Sequence, residues 1–234
     1  MPEFDLSFIW SATLFVNLAL LFYVLGFLAR DEMWLRGWLL LGTVFYLIYY
    51  YYAADAPLWD AMFTSGVLGL TNTSMMVVIA IERSTWFLSA DQAVLYRSFR
   101  TLSPGQFRKL LALAKSEKLS EPRLLTIQDV TSRHLTFVSS GSVSIQRAGE
   151  HALLAGPSFI GEVGFLLDRP ASATVQAGPG AEILQWDAGQ IRELMTKKPE
   201  ISNAMVALFN VDMALKVSRS MPVHATPLAG PNEA

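Results

Sequence analysis

Two regimes of hydrophobic patterning divide this chain, and the change falls near Arg83. Ahead of it, charges merely punctuate long apolar runs: Leu6–Ala29 has 24 uncharged residues, Gly37–Ala54 has 18 and Ala61–Ile81 has 21. A helix crosses a bilayer with about 20 apolar residues, so these lengths predict three transmembrane helices, over 6–29, 37–54 and 61–81, in an anchor spanning 1–82. Trp34 and Trp38 at one end of the second run, and Tyr49 to Tyr52 at the other, are distributed like interfacial aromatic belts. The alternative is three buried helices of a soluble protein, where uncharged runs of this length are rare. Asn17, Thr71, Asn72 and Ser74 are costly in lipid and are expected to face other helices, while Gly66 and Gly69 are expected to mark a close helix contact.

Beyond Arg83 the periods shorten. Residues 83–118 read as helix with one interruption: Ser89 is placed to cap a helix carrying Val94, Leu95 and Phe99, and Ser103-Pro104 starts another carrying Phe107, Leu110, Leu111 and Ala114. Short runs follow at 124–130, 135–139, 142–147 and 151–154, with turns at Ser140-Gly141 and Gly149-Glu150. Strands spaced about 8–12 residues apart predict a β-roll or jelly roll. A last strand at 182–186 precedes helices at 188–196 and 200–219, and residues 220–234 read as a disordered tail. The predicted class is therefore membrane α-helical plus an α+β domain over 83–219, a β-roll flanked by helices.

Composition sharpens this division. Charged residues make up 16% of the chain against roughly 25% in a soluble domain, and the deficit lies before Arg83. There two arginines stand against seven acidic residues, and the remaining 16 basic and 13 acidic residues follow. Arg30 and Arg36 flank the first loop, whereas the second, Asp55 to Asp60, has no Lys or Arg. The positive-inside bias then places the N-terminus outside and the C-terminal domain in the cytoplasm. The acidic start, Met1 to Asp5, does not read as a cleaved signal peptide. With no charge inside a span, no proton relay or ion pathway is expected there. The absence of cysteine removes disulfides, thiolate metal sites and a cysteine nucleophile. His134, His151 and His224 lack metal-ligand spacing, and Glu182 and Asp187 have no evident acid–base partner, so an enzyme is not expected.

The chemistry concentrates in Gly156 to Ala177. A Gly-Pro turn leads through Phe159-Ile160-Gly161-Glu162 to an apolar turn, Val163 to Leu167, broken by Asp168-Arg169-Pro170 and followed by a strand at 173–177. Backbone N–H groups at the start of such a turn suit an anion. A carboxylate beside them makes sense as acceptor for a sugar hydroxyl. The stretch resembles the phosphate-binding cassette of cyclic-nucleotide-binding domains, with Gly161-Glu162 and Ser172-Ala173-Thr174-Val175 as its two halves. That family carries an arginine after the proline to pair the cyclic phosphate. Here the position is Ala171, and the nearest arginine is Arg169.

A narrower resemblance covers the chain to about Val217. The three runs, Leu95 to Phe99, Phe107 to Leu110, Ile183 to Trp186, Lys198-Pro199 and Asn210 to Lys216 resemble the Popeye-domain family. Members are membrane-anchored with an outside N-terminus and a cytoplasmic domain binding cyclic AMP, and they too lack the cassette arginine. Their Asp-Ser-Pro-Glu and Phe-Gln-Val-Thr motifs fall near Gly161–Gly164 and at Ala171–Thr174, where only Thr174 is kept.

The resemblance implies a ligand, cAMP or cGMP, and no cofactor. Glu162 would accept a ribose 2′-hydroxyl, or else pair or cap to hold the turn. Ser172, Ala173 and Thr174 would offer N–H and hydroxyl groups to the phosphate, or serve ordinary turn chemistry. Arg169 would reach the phosphate or pair with Asp168. Gly161, Val163 and Gly164 would line the approach. The helix 200–219, with Ile201, Met205, Leu208, Phe209, Met213 and Leu215, either self-associates into a homodimer or packs on the β-roll. Lipids, a cyclic nucleotide and an unidentified membrane protein are the expected partners. Without a helix-turn-helix after the roll, nucleic acid is not. The competing reading is a membrane scaffold whose degenerate roll binds proteins and no nucleotide.

Overall fold

The computed structural model describes residues 12–52, 56–147 and 149–220. The chain forms two compact units, Met1–Ser84 and Thr85–Ala234. In the first, α1 (Ala12–Leu28), α2 (Glu32–Tyr52) and α3 (Trp59–Arg83) follow one another in sequence. Residues 6–11 of the first expected span and 53–54 of the second lie outside the described residues. The second helix starts five residues earlier than its uncharged run. Asp31 sets that start, because its Oδ1 accepts from the N–H of Met33 at 2.8 Å and satisfies an orphan donor of the first turn. The Asp31 carboxylate also accepts from Arg83 at 2.9 Å, tying the α1–α2 turn to the end of α3. The guanidinium holds the Asp31 carboxyl below the usual carboxylate range. This tie contributes at neutral pH and is lost as pH falls through that lowered value.

Among the described residues α3 is the helix both long and apolar enough to cross a membrane, with 11% of its apolar window buried. Gly66 faces open space, whereas Gly69 is buried against Thr43 and Leu40 of α2, in ordinary van der Waals contact and not at the closest helix approach. That approach is made at Gly42, where a Cβ would lie 2.5 Å from the Tyr23 ring, so α1 and α2 approach to backbone distance there. Phe22 stacks on Trp38 and Phe45 along the same seam. The expectation that Thr71 and Ser74 face other helices fails. Both are exposed and bond back to carbonyls four residues earlier, the cheaper way to satisfy a hydroxyl in an apolar helix. Asn17 is also exposed, while Asn72 accepts from Arg36 at 3.5 Å.

The second unit is α+β. It opens with α4 (Ala90–Tyr96), a 3₁₀ turn (Arg97–Phe99) and α5 (Pro104–Ala112). Ser89 with Gln92, and Ser103 with Gln106, form reciprocal capping boxes that fix where α4 and α5 begin. The strands are β1 (Lys115–Lys118), β2 (Arg123–Thr126), β3 (His134–Ser140), β4 (Ser142–Arg147), β5 (Glu150–Ala155), β6 (Ser158–Ile160), β7 (Thr174–Ala177) and β8 (Glu182–Asp187). Between β6 and β7 lies α6 (Glu162–Leu167), and α7 (Ala188–Lys197) and α8 (Pro199–Ser220) complete the described chain. Two antiparallel sheets result, ordered β1-β8-β3-β6 and β2-β7-β4-β5.

The α+β unit departs from the expected helix and strand bounds at three places. Residues 115–118 are strand, because β1 is an all-exposed edge held by backbone pairing to β8, and no apolar alternation marks it. Residues 84–89 lie outside any helix. The run 124–130 stops as a strand at Thr126 and turns, with Asp129 at φ 62°.

The first sheet separates two cores. Its outer face presents Leu135, Phe137, Phe159, Leu184 and Trp186 to the helices, packed with Phe99, Phe107, Ile191, Ile201, Met205 and Phe209. Its inner face presents Val138, Ile160 and Ile183 to Val143 and Val175 of the second sheet. Alternation along each strand produces the separation. For α8 the packing alternative holds: Ile201, Met205, Leu208 and Phe209 are buried in the helical core.

Two substitutions test this frame. Gly42→Leu is expected to lower the thermal midpoint of the helical signal in micelles, and an unchanged midpoint would mean that α1 and α2 do not meet there. Trp186 is buried and its Nε1–H donates to the carbonyl of Leu110 at 2.8 Å. Trp186→Phe is expected to cost about 2–4 kcal/mol in denaturant unfolding, from the cavity and the missing hydrogen bond together.

Candidate functional site

The cassette lies at the open end of the roll, where β6 leaves the first sheet. Gly161 turns the chain there at φ 85°, a left-handed conformation that a side chain would strain, and its carbonyl accepts from Phe165 to close α6. Asp168, also left-handed, ends the helix. Gly164 passes so close to the returning loop that a Cβ would lie 2.8 Å from the carbonyl of Arg169. Its role is in the turn itself. α6 has six residues, and so few aligned peptide dipoles give little of the anion attraction expected of a helix start.

A cavity of roughly 150 Å³ opens beside this turn. Gly161, Glu162, Val163 and Gly164 line one side, and Ala171, Ser172 and Ala173 the other. Six of the eight candidate residues therefore share one site. Arg169 is exposed and lines an adjoining recess, which shares Gly161, Gly164 and Ala171 with the cavity and adds Ser132 and His134. It does not pair with Asp168 either, whose carboxylate accepts from Arg192 of α7 at 2.9 Å. Arg192 also stacks on Phe165 at 4.7 Å, which fixes α7 against the cassette helix. Thr174 is occupied structurally, its Oγ1 accepting from the N–H of Gln128 at 3.0 Å. Ala171 exchanges backbone hydrogen bonds with the 127–130 turn, to Asp129 and Val130, so the two loops hold each other.

Glu162 is 6% exposed, unusual for a carboxylate without a partner. Its partner comes from α8. Lys216 Nζ donates to Glu162 Oε1 at 2.7 Å, pairs with Asp212 Oδ2 at 2.8 Å and donates to the carbonyl of Phe159. Asp212 in turn accepts from the Phe159 N–H at 3.3 Å. Two side chains one helical turn apart thus satisfy both backbone groups of Phe159 on an edge strand. Lys216 also lines the cavity, and among the lining residues it and Glu162 are the charged ones. The sequence reading missed Lys216 as a site residue. It lies 54 positions from Glu162, and the one local signal is the Asp212, Lys216 spacing, which reads equally well as a surface pair.

A larger groove of about 1070 Å³ runs between α4, α5 and β1, past Val94, Leu95, Leu111, Lys118 and Glu182. It gathers no buried ionisable group. Among the described residues no three His, Asp or Glu side chains cluster as metal ligands. Asp187 caps α7 through the N–H of Gln190.

Neither a protein-family model nor a curated protein matches the chain. Solved structures do. The catabolite activator protein of Thermus thermophilus is 22% identical with a TM-score of 0.41, over 52% of this chain and 62% of that one. A cyclic nucleotide-binding domain from Methylobacillus flagellatus is 14% identical with a TM-score of 0.46, over 50% and 70%. A putative cyclic nucleotide-binding protein from Geobacter metallireducens is 10% identical with a TM-score of 0.49, over 56% and 99%. The chain thus spans less than two thirds of the activator. Likenesses this distant carry no weight for function, which rests on the site's own geometry.

Thr174→Val separates turn chemistry from ligand chemistry. It leaves the Gln128 N–H without its acceptor, so a stability loss of about 1 kcal/mol is expected in chemical unfolding, with ligand affinity unchanged.

Proposed function

We propose that the chain is a membrane-anchored sensor that binds a cyclic nucleotide, cAMP in the first instance, in the cavity between Glu162 and Ser172-Ala173. The observation that carries this reading is the cavity itself. A buried carboxylate, the anionic acceptor among the lining residues, faces a loop with a small-residue surface and has a cation within 3 Å. The resemblance of Gly161-Glu162 and Ser172-Ala173-Thr174-Val175 to the cyclic-nucleotide-binding cassette supports the same ligand. In this reading Glu162 takes the ribose 2′-hydroxyl, Ser172 and Ala173 border the phosphate, and α7 and α8 pass occupancy to a partner protein.

Anchoring is proposed through α1–α3, with the N-terminus outside and the α+β unit in the cytoplasm. Its supports are the apolar surface of α3, where Phe63, Leu68, Leu70 and Val77 are exposed, and Trp86, 92% exposed just beyond the helix end. Lipid is the solvent that such a surface fits. Arg30, Arg36 and Arg83 at one end of the helical unit supply the positive-inside bias.

A scaffold that binds no nucleotide is the second reading. The pairing of Lys216 with Glu162 favours it, since the chain already fills its own acceptor.

Calorimetric titration of the full chain in nanodiscs with cAMP and cGMP decides between them. Micromolar binding is expected, weakened at least tenfold in Glu162→Gln, which keeps the shape and removes the charge. No heat at millimolar nucleotide from folded protein would leave the scaffold.

A further inference from the structure

We infer that Lys216 is the cation that takes the nucleotide's phosphate, and that its transfer from Glu162 to the phosphate loosens the last turns of α8 from the cassette. The inference rests on the cyclic-nucleotide reading above and names the group that reading lacks.

Charge comes first. A cyclic phosphate brings a full negative charge into a cavity already holding a buried carboxylate, which is costly without a cation. The position after Pro170 is Ala171, Arg169 lies in the adjoining recess and does not line the cavity, and α6 is too short to compensate. Of the residues that line the cavity, Lys216 alone is cationic.

The chemistry of the group comes next. An ammonium on a flexible four-carbon stem carries three donors and exchanges oxygen partners by rotation, without the fixed fork of a guanidinium. Its present partners are Glu162, Asp212 and the Phe159 carbonyl. One ammonium thus faces two carboxylates, so a third anion is tolerated only if it draws the ammonium to itself. Glu162 is then released to accept the 2′-hydroxyl, and Asp212 keeps the Phe159 N–H.

Space gives the third argument. Small-molecule pockets offer about 300–1,000 Å³, and this open cleft offers roughly 150 Å³ with Lys216 in its wall. A nucleotide needs more room than this cleft offers, and Lys216 is the one lining residue that α8 contributes. Entry of ligand and departure of Lys216 from Glu162 are therefore one event. The Lys216–Glu162 ion pair clasps α8 to the end of β6, so breaking it transmits occupancy to the last helix.

The test is titration of the full chain in nanodiscs with cAMP, alongside hydrogen exchange over residues 209–217. Lys216→Met is expected to bind about 10–100-fold more weakly, the cost of one charge-assisted contact, and Lys216→Arg within a few-fold of the natural chain. Asp212→Asn loosens Lys216 without removing it and is expected to bind a few-fold more tightly. Amides of 209–217 should exchange faster when cAMP is added to the natural chain, and should already be fast in ligand-free Lys216→Met. A natural chain that binds cAMP while Lys216→Met binds equally well or better overturns the inference and leaves the sensor standing, with Lys216 a mere competitor for Glu162. Tighter protection of 209–217 on binding overturns the loosening of α8. A natural chain that binds no cyclic nucleotide removes the sensor reading, and the inference with it.

Discussion

Everything in the α+β unit converges on Phe159. Its ring lies in the helical core against Phe99, Phe137, Trp186 and Phe209, with centroid separations of 4.8 to 6.4 Å. Its backbone has no strand on one side, since β6 is the edge of its sheet, and α8 supplies what is missing through Asp212 and Lys216. The next residue, Ile160, faces the other core, and the one after it begins the cassette. Three residues of strand therefore link the helices, the interior of the roll and the candidate site. A displacement of β6 is felt in all three, because close-packed interiors transmit strain and do not absorb it.

Much of this was legible in the sequence, for identifiable reasons. Ser89 and Ser103-Pro104 announced their helices because a capping hydroxyl and a proline at the first helical position are local signals. Gly161, Asp168 and Pro170 announced the cassette turn because left-handed positions and prolines restrict few residue types. Where the signal was not local, the reading failed. β1, Lys-Ser-Glu-Lys, is strand only because β8 lies beside it, and the true helix contact at Gly42 depends on where Tyr23 falls on the neighbouring helix.

The site shows the same boundary. Six candidate residues gather in one cavity because they belong to one short loop pair, whose geometry is written in contiguous residues. Arg169 and Thr174, close in sequence to lining residues, point elsewhere because loop chirality and a hydrogen bond to Gln128 decide their direction. Lys216 is the converse case. A residue distant in sequence enters the site because the apolar face of α8, from Ile201 to Phe209, docks on the sheet and carries the next two turns over β6.

That docking sets a rule for whatever meets the protein when α8 is elsewhere. With the helix gone, the N–H and carbonyl of Phe159 stand open at a sheet margin, beside the hollow left by Phe209. Water can satisfy the two polar groups but not the hollow. A successor must bring an aromatic or aliphatic plug, an acceptor one helical turn further on and a donor one turn beyond that. The last helix thus carries, in Phe209, Asp212 and Lys216, a template of the surface that would replace it.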